Sequence, residues 1–360
     1  MDVNYNITYR QKDKGWQYII SRKENNKWRQ VASKQGFKTK KEAKSASDKR
    51  LYELKKAYKS NPDAVVTGDI LLKDLHDSFI SHQKLYKEYN TIKGYKNSYS
   101  FFKELHDKKV SSITSIMVQN CIDNSLKYGN LKPDTLQSYV RRMKLEFNYY
   151  IEYYNNSYVN PMLKVKLPKN NSKPKKTALT KKQLDDLLTK LEGNKFYMVV
   201  FIAAKTGCRC GEVLGLTWDD INFKNSTITI NKQWKKLKDG STGFGSTKNG
   251  KHRIVPMPKE LKEKLKEYKK EAPININKRI VSFNKDSIDK YVNPILKENA
   301  NITMHELRHT YITLLIANGI DFKTVAQIVG DEVDQIYKTY SHVTSDMMNK
   351  ASKIINDIFK

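Results

Sequence analysis

One stretch divides this chain before any element is assigned. Asn160 to Lys176 holds six lysines and three prolines and no acidic residue. Proline extends and stiffens such a segment, and unpaired lysines keep it in water. It cannot supply a core, so the sequences on either side must each bury their own. The basic linker proper is assigned to residues 163–176, either a strap that follows a phosphate backbone or a plain solvated connector.

The two sides carry different periodicities. In residues 1–62, Tyr5 to Tyr9, Trp16 to Ile20 and Lys27 to Val31 alternate apolar and polar positions, which predicts three short strands. Thr39 and Glu42 have capping-box spacing and open a helix that runs to about Tyr58. In residues 63–162 the period changes to that of helices. Leu71, Leu72, Leu75, Phe79 and Ile80 mark the first, with others expected over Asn90 to Phe102, Ser115 to Tyr128 and Pro133 to Tyr154. The tyrosines of the last stretch, beside Arg141, Arg142 and Lys144, read as core in preference to base-stacking groups. Residues 177–360 are mixed. Ala178 to Leu191 is amphipathic and Phe196 to Ala204 is nearly all apolar, a buried helix. Ser226 to Trp234 and Lys251 to Val255 have strand character, and Ser241 to Gly250 reads as a loop and turn between them. The expected fold is multidomain and mainly α with small β-sheets: a three-stranded sheet plus helix, a helical domain, and a mixed α+β domain.

Charge narrows the partner. Of 360 residues, 67 are Lys or Arg and 38 Asp or Glu, a formal net charge of +29. Such a field costs self-repulsion, and a polyanion is its economical counterpart. Lys12 and Arg29 in the first part, Arg141 and Arg142 in the second, and Lys173, Lys175 and Lys176 in the linker are the candidate DNA contacts. With three cysteines, neither a disulfide framework nor a zinc-ligand spacing is present, so no metal or other cofactor is expected. The absence of a long apolar run or a leader pattern points to the cytoplasm and away from membranes.

The chemistry-bearing residues cluster late. Thr303 and Glu306 again have capping-box spacing, and the helix they open carries Leu307, Tyr311, Leu314 and Leu315 on one face. His305, Arg308 and His309 fall on the opposite face, expected to point away from the core toward an anion near the helix start. Upstream, Arg209 lies in Thr206-Gly207-Cys208-Arg209-Cys210-Gly211-Glu212. Two guanidinium groups can clamp one phosphate bidentately, and a phenol can attack it. Tyr340 is the phenol that context favours. Glu212 is expected to orient Arg209 or pack its helix, and Cys208 and Cys210 to pack.

Taken in order, these motifs resemble the tyrosine recombinases, the integrases of temperate phages and conjugative transposons. The box around Arg209, the segment Thr247-Lys248-Asn249-Gly250-Lys251, the box His305-Glu306-Leu307-Arg308-His309 and Tyr340 match the family's motifs at appropriate spacing. The whole chain resembles its three-part form: an arm-site-binding domain (1–62), a SAM-like helical core-site-binding domain (63–162) and, after the linker, a catalytic domain (177–360). The resemblance implies a site-specific recombinase that cleaves DNA through a 3′-phosphotyrosyl bond to Tyr340. Arg209 and Arg308 would hold the non-bridging oxygens, His305 would assist the phenol, and Lys248 would protonate the leaving oxygen or simply contact phosphate. His309 would buttress the site. It also implies core and arm att sites, a tetrameric synapse on two duplexes, an excisionase or host DNA-bending partner, and a place on the bacterial nucleoid. The tail from Thr344 to Lys360 would dock on a neighbouring protomer or on its own chain.

One position departs from the family pattern: Asp331 stands where His or Trp usually follows the glycine corresponding to Gly330. A carboxylate beside the scissile phosphate is electrostatically costly. Two other readings stand beside the recombinase: a type IB topoisomerase, which shares the nucleophile chemistry but religates the original strand, and a catalytically inactive DNA-binding regulator, supported only by Asp331.

Overall fold

The computed structural model describes residues 4–12, 15–24, 27–60, 70–129, 131–168, 178–273 and 275–340, together with Ile355 and Phe359. The chain separates into two compact units, Met1–Asn171 and Ser172–Lys360.

The first unit opens with an antiparallel sheet of β1 (Tyr5–Lys12), β2 (Gly15–Glu24) and β3 (Lys27–Phe37), in that order. The period-2 pattern sets its faces. Tyr5, Ile7 and Tyr9 of β1 join Tyr18 and Ile20 of β2 in a cluster with Ala46, Leu51 and Leu54 of α1 (Lys40–Ser60). Thr39 caps that helix by accepting from the Glu42 N–H at 3.2 Å, while the Glu42 carboxylate accepts from the Lys38 N–H at 3.0 Å. Four helices follow: α2 (Leu72–Tyr86), α3 (Tyr89–Phe101), α4 (Ser115–Lys127) and α5 (Pro133–Tyr153), the last with proline in its first turn. Leu72, Leu75, Val118, Ile122, Met143, Phe147 and Tyr150 meet in one core. Tyr150 is fully buried and Tyr149 packs edge-on against Phe79, so these tyrosines are core, as their spacing suggested.

The first residues of the lysine- and proline-rich stretch, ahead of the assigned linker 163–176, pack with the helices. Pro161 and Met162 are buried in a single turn, Pro161–Lys164, capped by the Asn160 side chain. Met162 belongs to the helical core, so two apolar residues outweigh the lysines around them.

The second unit is built around α7 (Tyr197–Thr206), which follows α6 (Lys181–Lys190) and is buried over nearly its whole length. Against it pack α9 (Lys259–Glu271) and α12 (Met304–Ala317). After α7 come α8 (Cys210–Gly215) and two small antiparallel sheets. One joins β4 (Ile221–Asn222), β5 (Thr227–Ile230) and β8 (Arg253–Pro256) in the order β4-β5-β8; the other is the hairpin of β6 (Lys232–Lys236) and β7 (Thr242–Ser246). The stretch Ser241 to Gly250 is therefore part strand. Trp234 pairs with Phe244 across the hairpin, ring edge to ring face at 5.1 Å. A short α10 (Lys285–Ser287) and α11 (Asn293–Ala300) lead to α12. Then α13 (Phe322–Val329) and α14 (Val333–Tyr340) fold over one side of α12, burying Ile312, Ile316, Val325, Val329, Ile336 and Tyr340 together.

Candidate active site

Arg209 is placed by a sharp helix end. Gly207 closes α7 in the left-handed region, φ 64°, and the Tyr311 ring lies 2.3 Å from where a β-carbon would stand. Only glycine meets both demands. The chain then turns so that Arg209 caps α8. Its N–H donates to Glu212 Oε2 at 2.9 Å and its Nη1 to Glu212 Oε1 at 3.2 Å. Glu212 is 1% exposed and also receives both Nη atoms of Arg253, at 3.1 and 2.6 Å. Burial alone would raise this carboxyl's pKa. The Arg253 guanidinium, with help from Arg209, outweighs burial and holds it below the usual range. Arg253 Nε in turn donates to the Ile328 carbonyl at 2.9 Å, tying β8 to α13.

Arg308 comes from α12, whose start carries the capping box between Thr303 and Glu306. Its Nη1 donates to the Gly207 and Val329 carbonyls, each at 2.9 Å. The expectation that His305, Arg308 and His309 face away from the core holds only for His305. Arg308 and His309 are 3% and 6% exposed, because α13 and α14 cover that side of the helix. Burial, and the charge of Arg209 nearby, lower the Arg308 pKa from its ordinary value, against the pull of Asp331.

Asp331 turns inward. It follows Gly330, the left-handed end of α13, φ 70°. Its Oδ1 accepts from Arg209 Nη2 at 2.5 Å and its Oδ2 from Arg308 Nη2 at 2.7 Å. Arg209 Nη2 also reaches the Gly330 carbonyl at 3.0 Å. One carboxylate thus bridges the two guanidinium groups that were expected to share a phosphate.

Tyr340 ends α14 and is 4% exposed. Its hydroxyl shares a hydrogen bond with His309 Nδ1. The sequence suggested His305 for that contact; instead the His305 ring stacks edge-on against His309 at 4.5 Å. Burial raises the phenol's pKa, Arg308 lowers it, and Asp331 adds to the rise. A cavity of about 360 Å³ is lined by Arg209, Arg308, His305, His309, Asp331 and Tyr340, and Lys248 reaches it from the turn between β7 and β8. All seven predicted positions of the catalytic set therefore border one space. Among the described residues no group of His, Cys, Asp and Glu is arranged to hold a metal ion.

The other candidate residues lie in the first unit or outside the described residues. Lys12 and Arg29 are both exposed but occupy opposite sheet faces: Arg29 pairs with buried Arg22, whereas Lys12 shares the alternate set with Thr8 and Arg10. Arg141 is exposed on α5. The Arg142 guanidinium lies over α3 at Gly94, where a β-carbon would stand 2.8 Å from it, so part of its role is packing. Lys173, Lys175 and Lys176, and nearly all of the tail after Tyr340, fall outside the described residues. Arg253 was not singled out from sequence. The available signal was its register: it shares the inward face of β8 with buried Val255, while Ile254 points outward at 65% exposure.

Comparisons with known proteins place the chain by family and fold. Residues 177–347 match the phage integrase family and residues 7–54 match an arm DNA-binding domain. A XerC-like tyrosine recombinase of Caldanaerobacter subterraneus subsp. tengcongensis is 25% identical, over 94% of this chain and 95% of its own length. A probable integrase of prophage ps2 in Lactococcus lactis is 24% identical, over 81% of this chain and 84% of its own. In fold, the chain is similar to the Tn1549 transposon integrase solved with a circular intermediate DNA: TM-score 0.64, 19% identity, 75% of this chain and 95% of that one. It is also similar to a lambda integrase tetramer bound to a Holliday junction, with TM-score 0.59, 15% identity, and 88% and 92% covered.

Proposed function

We propose, for a chain that belongs to the phage integrase family of tyrosine recombinases, that it is a site-specific DNA recombinase acting through Tyr340. The observation that carries the reading is convergence. Two guanidinium groups aim at one anion position, and the Tyr340 hydroxyl and Lys248 border the same cavity.

In the reaction, Tyr340 Oη attacks phosphorus, the P–O5′ bond breaks, and a 3′-phosphotyrosyl ester forms. The phenol's proton passes to His309 Nδ1, the base in contact with it, and Lys248 gives a proton to the departing 5′-oxygen. The 5′-hydroxyl of the partner strand then attacks the ester and returns the phenol. Each step exchanges one phosphodiester for another, so no external energy source is needed. Arg209 and Arg308 stabilise the charge that grows on the non-bridging oxygens. Burial disfavours the free phenolate, which supports the need for a base in contact with the hydroxyl.

We assign residues 1–62 to arm-site binding, 63–162 to core-site binding, 163–176 to a basic linker and 177–360 to catalysis. Lys12, beside Arg10 on the open face of the small sheet, is the better placed of the two arm-contact candidates. The working assembly in this reading is four protomers on two core sites, on the nucleoid in the cytoplasm, with an excisionase or DNA-bending protein setting direction.

A suicide substrate nicked beside the cleavage position tests this. A covalent protein–DNA adduct is expected, lost in Tyr340→Phe while core-site binding persists. An adduct that survives the substitution would move the nucleophile elsewhere. Efficient relaxation of a plasmid without att sites, with no strand exchange, would favour the topoisomerase.

A further inference from the structure

We propose that Asp331 is the resident occupant of the anion seat: in the DNA-free protein its carboxylate takes the place of the scissile phosphate, and DNA must expel it before Tyr340 can react. The proposal deepens the recombinase reading, which supplies only the identity of the incoming anion.

The geometry is specific. Arg308 commits Nη1 to the Gly207 and Val329 carbonyls and turns Nη2 to Asp331 Oδ2. Arg209 commits Nη1 to Glu212 and turns Nη2 to Asp331 Oδ1 and the Gly330 carbonyl. One carboxylate oxygen per guanidinium is the pattern that a phosphodiester's two non-bridging oxygens would also satisfy. Carboxylate and phosphodiester each carry one negative charge, so both cannot sit between these arginines without repulsion. A neutral or cationic donor at this position would add to the phosphate's contacts; a carboxylate competes with the phosphate for them.

Asp331 is also well placed to leave. It is partly exposed, in the short connection between α13 and α14, and borders a second cavity of about 390 Å³ that shares Arg209 and is lined also by Arg253, Lys323 and Lys251, the last paired with Glu332. That cavity offers the displaced carboxylate cationic company. The same connection leads directly into α14, which carries the buried Tyr340, so expulsion of Asp331 and presentation of the phenol move one segment.

The test uses the full chain without DNA. Wild type, Asp331→Asn and Asp331→His are titrated with inorganic phosphate by calorimetry, and their melting is followed with and without phosphate. Both variants are expected to bind phosphate at least about ten-fold more tightly than wild type, since two charge-assisted hydrogen bonds no longer compete. Both should melt lower than wild type without phosphate and recover more with it. Equal phosphate affinity in all three proteins overturns the proposal, and a second variant guards against one that fails to fold. Adduct formation on the nicked substrate is read separately. Tighter phosphate binding in the variants with no adduct in any protein would uphold the occupied seat and reject the recombinase reading.

Discussion

Replacing Arg253 by Met should damage the site without touching any residue that meets DNA in the proposed reaction. Arg253 gives both Nη atoms to Glu212 and its Nε to the Ile328 carbonyl, and it is largely buried. Removing one partner of a buried pair strands the other charge, which costs about 3–5 kcal/mol. Arg209 still touches Glu212, so the lower end, about 3 kcal/mol, is expected. At roughly 2–4 °C per kcal/mol for a unit of this size, the melting transition should fall by about 6–12 °C. The loss has a pH signature. Glu212 titrates below its ordinary value of about 4.5 in the folded wild type, so its stabilisation is fully present above that pH and is lost as pH falls through the lower folded value. In the variant, burial is no longer outweighed by Arg253. The gap between the two proteins should therefore be widest at neutral pH, begin to close as pH falls through the variant's raised Glu212 value, above about 4.5, and go on closing through the wild type's lowered one. Urea unfolding of the full chain at several pH values reads this directly. Glu212, no longer held by Arg253, should position Arg209 less well, slowing adduct formation by up to about a hundred-fold. Arg253→Lys keeps the charge but not the bidentate fork and should fall between. A gap that does not vary with pH, or a variant with unchanged adduct rate, would refute this account of Arg253.

His309→Ala should slow adduct formation by about a hundred-fold or more, and His305→Ala by much less, in single-turnover cleavage assays; the reverse order would return the base to His305. Gly207→Ala meets both a strained φ and the Tyr311 ring, so calorimetry should show a loss of about 2–4 kcal/mol and little adduct. A protein lacking residues 1–62 should keep its core-site footprint and lose arm-site footprints. For the full chain, log–log plots of DNA affinity against salt should slope steeply downward, as counterion release from a +29 protein requires.

The parts of this molecule legible in the sequence are those set by local pattern. Alternation over Tyr5 to Tyr9 and Trp16 to Ile20 gave strands whose buried sides are the predicted ones. The helices of residues 72–153 lie where their apolar spacing placed them. The caps at Thr39 and Thr303 formed because a short side chain and a following N–H suffice. What escaped was tertiary. A helical wheel puts Arg308 opposite Leu307, which reads as solvated, but α13 and α14 arrive from later sequence and bury it. β7 has two glycines and no branched residue besides Thr242, so its strand state rests on pairing with β6 and on the Trp234–Phe244 contact. Arg253 stayed hidden because an inward arginine on a strand makes sense only once Glu212 is known to lie opposite it. Which histidine touches Tyr340 was likewise undecidable from a box in which both fit.

The charges of the site bear on how it would stabilise the transition state of the proposed reaction. Arg209, Arg253 and Arg308 contribute +3 and Glu212 and Asp331 −2, a sum of +1 before Lys248 is counted. That balance is tolerable for groups this deeply placed, since each buried charge has a partner. If phosphate replaces Asp331, the protein's sum becomes +3 − 1 = +2 against a single negative charge on the diester. As Tyr340 adds to phosphorus, a second negative charge builds on the equatorial oxygens, and only then is the site matched. The excess felt by the ground state is relieved in the transition state, which is the condition for accelerating the step and not merely binding the substrate. On this argument Asp331 does more than block: by leaving as the phosphate enters, it converts a site that is stable when empty into one that is under-neutralised until the bond is made. Asp331→Asn would then be pre-charged. It should hold phosphate tightly in the resting protein and lose stability there, yet cleave no more slowly than wild type once DNA is bound. A variant that gained phosphate affinity but cleaved bound DNA at least about ten-fold more slowly would show that the carboxylate has a role in the bound complex that this charge balance does not contain.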